Sequence, residues 1–406
     1  MPSFSIEVAL PASHYNISVL AQTAPFCPGQ ELELFTQLPA RPAVFLLRGA
    51  GDPYVSKTAN LRRRIERLLG EPQEQTKRLN LRHRVQEIAY TVTGSELESQ
   101  LLLYRLLRQT FPNNYIARLR IRFAPLVMLH FENAYPRASV TTRLGRAGSK
   151  NAYYGPFPSR VAAEKFSSDS LDFFKMRRCV DDLSPDPAFP GCVYSEMKMC
   201  LAPCFKGCTE AEYQAEVARV EAFFSSGGES LMSELSHERD RASAELAFEE
   251  AAVVHGKMEK LKSLFAQVPE IIRRIDLLRA LLVQPSAEPG CVSLFHFHDG
   301  RFVGPFQLRI EATAESQSME SRVESAIISL SERQTTSALE RMEHLALLKR
   351  WYYRSRPSGE IFLADQRGVW PFRRIVRGIG RVYRGEKIES TSFSATETVQ
   401  FPSQPS

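Results

Sequence analysis

Four of the seven cysteines lie between Cys179 and Cys204, at intervals of 12, 7 and 3 intervening residues. Cys200 and Cys204 are close enough for their thiolates to bind one soft metal centre, and Cys179 and Cys192 can fold back onto it from the preceding loops. Cys208, a little further on, is a spare thiol. The spacing predicts one four-thiolate metal or iron-sulfur site, with scattered core cysteines as the alternative.

The cysteine count also bears on the compartment. A disulfide framework is the competing interpretation, but seven is an odd number in a chain of 406 residues. The N-terminal sequence lacks the charged region and long apolar core of a secretory leader, and no apolar run approaches the roughly 18 residues of a membrane span. We therefore expect a reduced, cytoplasmic protein with no membrane partner.

Length and charge set further bounds. A chain of 406 residues predicts two to four domains, and 43% hydrophobic residues can build substantial cores. The net charge of +6 is modest, but the basic residues are clustered. Such clusters are typical of proteins that bind polyanions, DNA among them.

The region from Pro42 to Pro112 has a clear order of elements. AVFLL and PYVSK predict a hairpin across the GAGD turn, and Asn60 is a suitable N-cap for the helix that follows. EIAYTVT predicts another strand, after which Ser95 and Glu98 form a capping-box pair at the start of a second helix. The order is strand, strand, helix, strand, helix.

The first of these helices has an apolar face and a dense basic surface. Its arginines occupy four of six consecutive positions, from Arg62 to Arg67. Such a surface suits a phosphate backbone, although exposed arginines on a helix are often only solvated. The predicted DNA-binding residues are Arg62, Arg63 and Arg67.

Residues 42–115 resemble the GIY-YIG nuclease domain at the front of UvrC, the incision subunit of bacterial nucleotide excision repair. PAVF stands in place of the GIY element, and PYVSKTANLRRRI in place of the YIG element. Downstream, NAYYGPFPS, the cysteine run and a helical pair resemble the next segments of the same family, so that the resemblance covers residues 40–268. The layout is similar to that of short UvrC homologues of the Cho type, without the RNase H-like second nuclease.

In the family, one divalent ion, Mg²⁺ or Mn²⁺, is held by a Glu, while tyrosines, a Lys and an Arg activate water and stabilise the phosphate. The resemblance implies catalytic roles for three retained matches, Tyr54, Lys57 and Arg64.

Three other positions depart from the family pattern. Phe45 and Leu68 replace tyrosines, and Leu103 falls at the position of the metal-binding Glu. Leucine supplies no oxygen ligand, and Glu98, five residues earlier, points about 140° away around the helix. We predict that metal-dependent strand cleavage is lost, with Mg²⁺ or Mn²⁺ bound only if the nuclease is active.

The resemblance implies a [4Fe-4S] cluster at Cys179, Cys192, Cys200 and Cys204. Zinc is the alternative, because sequence does not separate a four-cysteine zinc site from an iron-sulfur one. The basic residues around the run offset the negative charge of a thiolate cluster, or bind DNA; they are Arg177, Arg178, Lys198 and Lys206.

Two helices, about 228–246 and 249–267, follow and resemble the UVR hairpin, which in the family pairs with the helicase subunit UvrB. The predicted partner-binding residues are Phe248, Ala251, Ala252 and Met258. His255 and Gly256 replace the usual Arg-Asp pair, which weakens the predicted UvrB partnership. A hairpin that covers only its own chain is the alternative.

The C-terminal part begins with a predicted hairpin, CVSLFHF and RFVGPFQLRIEA around HDG. Its histidines, His296 and His298, share one face of the strand, and we expect them at the surface. Residues 349–387 combine eleven Lys and Arg with interleaved aromatic residues. That composition suits nucleic acid, with core aromatics as the alternative.

The predicted fold class is α+β and multidomain. Its parts are an N-terminal extension of one or two strands (1–40), a small GIY-YIG-like α/β/α nuclease-type domain (41–120), a Cys-rich domain (121–215), a UVR-like helical hairpin (225–268), a basic C-terminal α+β region (285–388) and a disordered tail (389–406). Two functions fit these parts: a short UvrC-like excision nuclease that cuts beside a lesion, or a catalytically inactive paralogue that binds DNA or UvrB.

Overall fold

The computed structural model describes residues 20–71, 79–146, 148–180, 183–311, 317–331, 336–355 and 357–386. The predicted tail 389–406 and residues 1–19 of the predicted extension lie outside this set. The chain divides into two compact units. The front unit is Met1–Ile121 with Gln284–Ser293, and the rear unit is Arg122–Val283 with Leu294–Ser406.

Over its described residues, the front unit forms a four-stranded antiparallel sheet, in the order β1-β4-β2-β3, and four helices. In its described residues, 20–40, the predicted extension forms one strand and one helix. The elements are β1 (Gln22–Pro25), α1 (Glu31–Gln37), β2 (Ala43–Gly49), β3 (Tyr54–Thr58), α2 (Leu61–Leu69), β4 (Val85–Val92), α3 (Glu96–Thr110) and α4 (Tyr115–Leu119).

Alternation along β2 builds two cores, one on each face of this sheet. Phe45, like Ala43 and Leu47 two positions away on either side, packs with α2. Val44 and Leu46 point to the other face and pack with α3. The predicted caps are confirmed: the side chains of Asn60 and Ser95 accept backbone N–H groups of the first turns of α2 and α3. The result is an α/β/α sandwich.

The rear unit begins with a sheet of order β6-β5-β7-β8, followed by a group of helices. The elements are β5 (Leu126–Leu129), β6 (Ala138–Thr141), β7 (Ala152–Gly155), α5 (Arg160–Leu171), α6 (Val193–Glu196), a 3₁₀ turn (Pro203–Phe205), α7 (Glu210–Ser226), α8 (Glu229–Ala244), α9 (Phe248–Ala266) and β8 (Arg273–Arg274).

Aromatic rings hold these helices to the sheet. Phe223 of α7 has ring centroids 5.1 Å from Phe174 and 5.4 Å from Phe265 of α9. Phe166 of α5 lies 5.8 Å from Phe224 and 6.3 Å from Phe265. Because both ring contacts of Phe265 are to this core, the hairpin formed by α8 and α9 packs on its own domain.

The described residues of the C-terminal part form a further sheet, of order β11-β10-β9-β12, and three helices. The predicted hairpin is confirmed, and its turn uses positive φ at Asp299 and Gly300. No described helix is long and apolar enough to cross a membrane. The elements are β9 (Ala280–Pro285), β10 (Cys291–His298), β11 (Arg301–Arg309), α10 (Met319–Leu330), α11 (Ala338–Tyr352), β12 (Glu360–Leu363) and α12 (Phe372–Arg384).

The surface position predicted for His296 and His298 is wrong. Both side chains are buried, because β10 is an inner strand covered on both faces. Their rings lie 4.6 Å apart, His296 Nδ1 is 3.2 Å from Ser331 Oγ, and His298 Nε2 is 3.1 Å from the Leu330 carbonyl oxygen. The histidines belong to the core of the second sheet.

Burial, and then the neighbouring His298, lower the pKa of His296 to about 3. An unfolded imidazole has a pKa of about 6.5, so the unfolded chain binds a proton that the folded chain excludes. We therefore expect stability to fall as the pH drops from about 6.5 towards 3. The free energy of unfolding, measured by urea denaturation, should decrease less between pH 7 and pH 4.5 for His296→Phe than for wild type. The exposed His255, changed to Gln, is the control; the same decrease in all three proteins would contradict the prediction.

Candidate functional site

Four thiols converge in the rear unit. Cys179, Cys192, Cys200 and Cys204 line one small cavity, and all are free and half-buried. Cys208 is outside this lining and packs at the edge of the aromatic core. Among the described residues, no three His, Cys, Asp or Glu side chains are placed to hold a single metal ion. The four predicted ligands nevertheless line one cavity.

Backbone contacts position the cysteine loops. The N–H of Leu201 donates to the carbonyl of Lys175 at 3.0 Å, and the N–H of Asp186 donates to that of Cys204 at 2.9 Å. Cys192 begins α6, where Ser195 Oγ bonds to its backbone N–H at 2.8 Å. The first two bonds join segments that are distant in sequence, and the third lies at the N-terminus of α6.

Arg177 is a buried cation beside the cavity, only 1% exposed. Its Nε donates to the carbonyl of Tyr135 at 2.9 Å, and its Nη1 lies 3.4 Å from Cys179 Sγ. Its backbone N–H donates to Tyr213 Oη at 3.1 Å, and that hydroxyl donates to the Pro136 carbonyl at 2.7 Å. Sequence reasoning missed Tyr213, a fully buried residue of α7 that ties the cysteine loop to the core.

The other predicted cations differ from Arg177. Arg178 is paired with Asp172 at 2.8 Å, while Lys198 and Lys206 are exposed. Burial raises the pKa of the Cys200 thiol to about 11, and nearby thiolates act in the same direction. The N–H of Ala202 donates to Cys200 Sγ at 3.3 Å. Four thiols, one buried cation and an N–H donor form a set that fits a thiophilic centre, whose binding displaces the thiol protons.

In the front unit, Tyr54 and Arg64 form a pair on the α2 face of the sheet. Arg64 Nη2 donates to Tyr54 Oη at 2.8 Å, and Arg64 Nε is buried without a hydrogen-bond partner among the described residues. Phe45 lies beside them, with its ring centroid 6.1 Å from that of Tyr54. Two of the three predicted catalytic residues are therefore in contact.

The third, Lys57, lies on the opposite face. It pairs in register with Val44, which belongs to the α3 core, and its ammonium forms an ion pair with Glu96 at the start of α3. Side chains alternate along a strand, so residues 54 and 57 of β3 face opposite sides. The structure does not bring Lys57 to the Tyr54 and Arg64 pair.

The positions that depart from the family pattern are filled by packing. Leu68 is 2% exposed in the α2 core, and Leu103 packs on the α3 side of the sheet. Glu98 accepts the Gly94 N–H at 2.8 Å, and burial raises the pKa of its carboxyl. Among the described residues, no carboxylate contacts the Tyr54 and Arg64 pair.

The predicted DNA-binding arginines of α2 have different surroundings. Arg62 donates through Nε to the Leu38 carbonyl at 2.8 Å and through Nη2 to that of Thr36 at 2.9 Å, which caps α1. Arg63 and Arg67 are exposed. Only these two present their guanidinium groups outward, so the predicted basic surface is smaller than the sequence indicates.

The predicted partner-binding face of α9 is divided. Met258 is buried, together with Val254 and Leu261, in the core of its own domain. Phe248 is 66% exposed, Ala251 is half-buried and Ala252 is exposed. Exposed apolar residues gather at the turn of the hairpin and along one side of α9: Leu246, Phe248 and Val253.

The basic C-terminal region shows a similar division. Trp351 is 2% exposed and belongs to the core, whereas Tyr383 is 43% exposed. On α12, Arg381 is held by Glu360 at 2.7 Å, and Arg373 and Arg377 are exposed. The helix therefore has one apolar side and one basic side.

Comparison with known proteins covers most of these parts. Residues 125–223, which include all four cavity cysteines, match the family described as the UvrC/Cho excinuclease middle domain. UvrABC system protein C of Trichormus variabilis is 26% identical over 294 residues, which is 71% of this chain and 46% of that protein. The proteins of the same name from Hydrogenovibrio crunogenus and Stenotrophomonas maltophilia are 29% and 28% identical, over 66% of this chain and 44% and 43% of their own lengths.

No solved structure matches the chain. The matches span less than half of the length of these curated relatives. The predicted resemblance to the UvrC family is confirmed: the chain is similar to UvrABC system protein C, and its residues 125–223 match the middle domain of the UvrC and Cho excinucleases.

Proposed function

We propose that this protein acts in nucleotide excision repair as a UvrC-like DNA-binding protein whose front unit has lost metal-dependent strand cleavage. The observation that carries the proposal is the position of Leu103, which packs on the α3 side of the sheet while Tyr54 and Arg64 meet on the other side. A divalent ion needs oxygen ligands, and the pair offers one phenol and no carboxylate.

The cysteine cavity supports a structural cofactor. Its four thiols and the Arg177 guanidinium suit a [4Fe-4S] cluster, in which each iron takes one protein thiolate. A single zinc ion held by the same four thiolates is the alternative. Iron, sulfide and zinc analysis of protein purified without oxygen separates the two.

DNA and a UvrB-like helicase subunit are the proposed partners. Their support is the similarity to proteins of the UvrABC system, together with exposed cations on α2 and α12. The exposed apolar end of the hairpin, with Phe248 and Val253, is the surface proposed for the UvrB-like subunit. The buried Met258 is not part of that surface.

One observation favours the second candidate, a nuclease that incises DNA beside a lesion. The Tyr54 and Arg64 pair is retained, and Arg64 Nε is free among the described residues. An arginine in this state can stabilise a pentavalent phosphate once a ligand or partner completes the site.

An incision assay separates the two candidates. With damaged duplex, the excision partners and Mg²⁺ or Mn²⁺, we expect no cut above the level seen in EDTA, because the metal ligand is absent. Arg64→Ala is the matched variant, since it removes the last transition-state cation of the pair. Metal-dependent incision by wild type that Arg64→Ala abolishes would establish the nuclease and overturn the proposal.

A further inference from the structure

A cleft of about 750 Å³ lies within the rear unit, between α5, the cysteine loops and the hairpin. Lys165 of α5, Lys198 of the cysteine loops, Arg219 of α7 and Lys260 of α9 all line it. We call it the hairpin cleft. Nothing in the proposed function uses it.

Its walls carry seven basic and four acidic side chains. Three acids are neutralised within the cleft: Asp169 by Lys165 at 2.7 Å, Asp172 by Arg178 at 2.8 Å, and Glu234 by Arg219 at 2.6 Å. One acid, Glu238, then remains against four lysines that have no ion pair among the described residues. These are Lys175, Lys198, Lys257 and Lys260. A concave surface with this excess concentrates anions.

Part of the cleft lining is apolar. Leu231 and Leu235 of α8 and Phe174 are nearly buried there, and Phe173 is half-buried at the surface of the cleft. Exposed lysines and a half-buried aromatic ring in one cleft suit a single strand, with phosphates on the cations and a base against the ring. A duplex fits less well, because its base faces are stacked inside the helix. The volume of the cleft is in the range of small-ligand sites, which is too small for a duplex.

We propose that the hairpin cleft binds single-stranded DNA, with Lys175, Lys198, Lys257 and Lys260 on the phosphates and Phe173 against a base. The inference rests on the proposed repair function, and it assigns to the hairpin a DNA contact in addition to its apolar end. One strand of an opened duplex then runs between the cysteine loops and α9.

Fluorescence anisotropy with a labelled oligothymidylate, using the full-length protein as purified, tests the cleft. Lys257→Gln/Lys260→Gln should weaken binding roughly tenfold or more at 0.1 M salt, and lower the slope of log K against log salt by about 1.4, since each single-strand contact contributes about 0.7. Lys150→Gln/Lys262→Gln removes the same charge from exposed lysines outside the cleft and should bind as wild type does.

Phe173→Ala gives an independent signature. It should weaken binding about fivefold or more with the salt slope unchanged, because stacking releases no counterions. Circular dichroism and metal content verify that the variant is folded. An unchanged affinity of Phe173→Ala, with the lysine pair still weakened, would overturn the single strand as the occupant in favour of another polyanion.

Two further outcomes are distinguishable. If wild type binds the oligothymidylate and the two lysine double variants bind it with equal affinity, the cleft is not the binding site. The proposed repair function then stands. If wild type binds neither the oligothymidylate nor damaged duplex, both proposals fall.

Discussion

Cys200→Ser should remove the proposed metal centre and lower the melting temperature of the rear unit by about 10 °C. In metal-dependent domains the free energy of metal binding is free energy of folding, and a loss of about 4 kcal/mol produces such a shift in a domain of about 150–250 residues. Cys200 is suited to the test, because its thiol lines the cavity and accepts the Ala202 N–H. We also expect DNA binding to be lost, since Lys175 and Lys198 lie on the loops that carry the proposed centre.

Cys208→Ser is the matched control. Cys208 lies four positions after Cys204, packs at the edge of the core and does not line the cavity. Iron, sulfide and zinc content, visible absorbance and a thermal melt should therefore be unchanged. A Cys200→Ser protein with full metal content and an unaltered melt would remove the four-thiolate site.

Leu261→Ala should destabilise the rear unit by about 2–5 kcal/mol. Leu261 of α9 is 1% exposed in the core shared with the sheet, and truncation of a buried leucine leaves a cavity. The expected result distinguishes a hairpin that is packed on its own domain from one that folds only when a partner binds. Chemical denaturation, followed by circular dichroism, measures it.

Phe248→Ala is the control on the same helix. Its ring is 66% exposed, so the free energy of unfolding should change by less than about 0.5 kcal/mol. Its effect should appear instead in the binding of a UvrB-like subunit. If Phe248→Ala destabilised the protein and Leu261→Ala did not, the docked position of α9 would be wrong.

Local signals in the sequence predicted much of the fold. The side chains of Asn60 and Ser95 cap their helices as expected, because an N-cap depends on three or four neighbouring residues. The helices of the hairpin fall within two residues of their predicted limits. The four cysteines that the spacing grouped into one site likewise line one cavity.

The misses have long-range causes. His296 is buried because Leu330 and Ser331, more than thirty residues later, cover its face of β10, and no local pattern reports such a cover. Tyr213 had no signal beyond an apolar helix face. The sequence could have predicted that Lys57 and Tyr54 lie on opposite faces, since residues three positions apart along a strand point to opposite sides of the sheet.

That alternation limits what a reversion can achieve. A carboxylate restored at Leu103 alone would enter the layer that holds Lys57 and Glu96, with the sheet between it and Arg64. A metal site that used both a carboxylate at position 103 and the Arg64 guanidinium would therefore need changes in two layers of the sandwich.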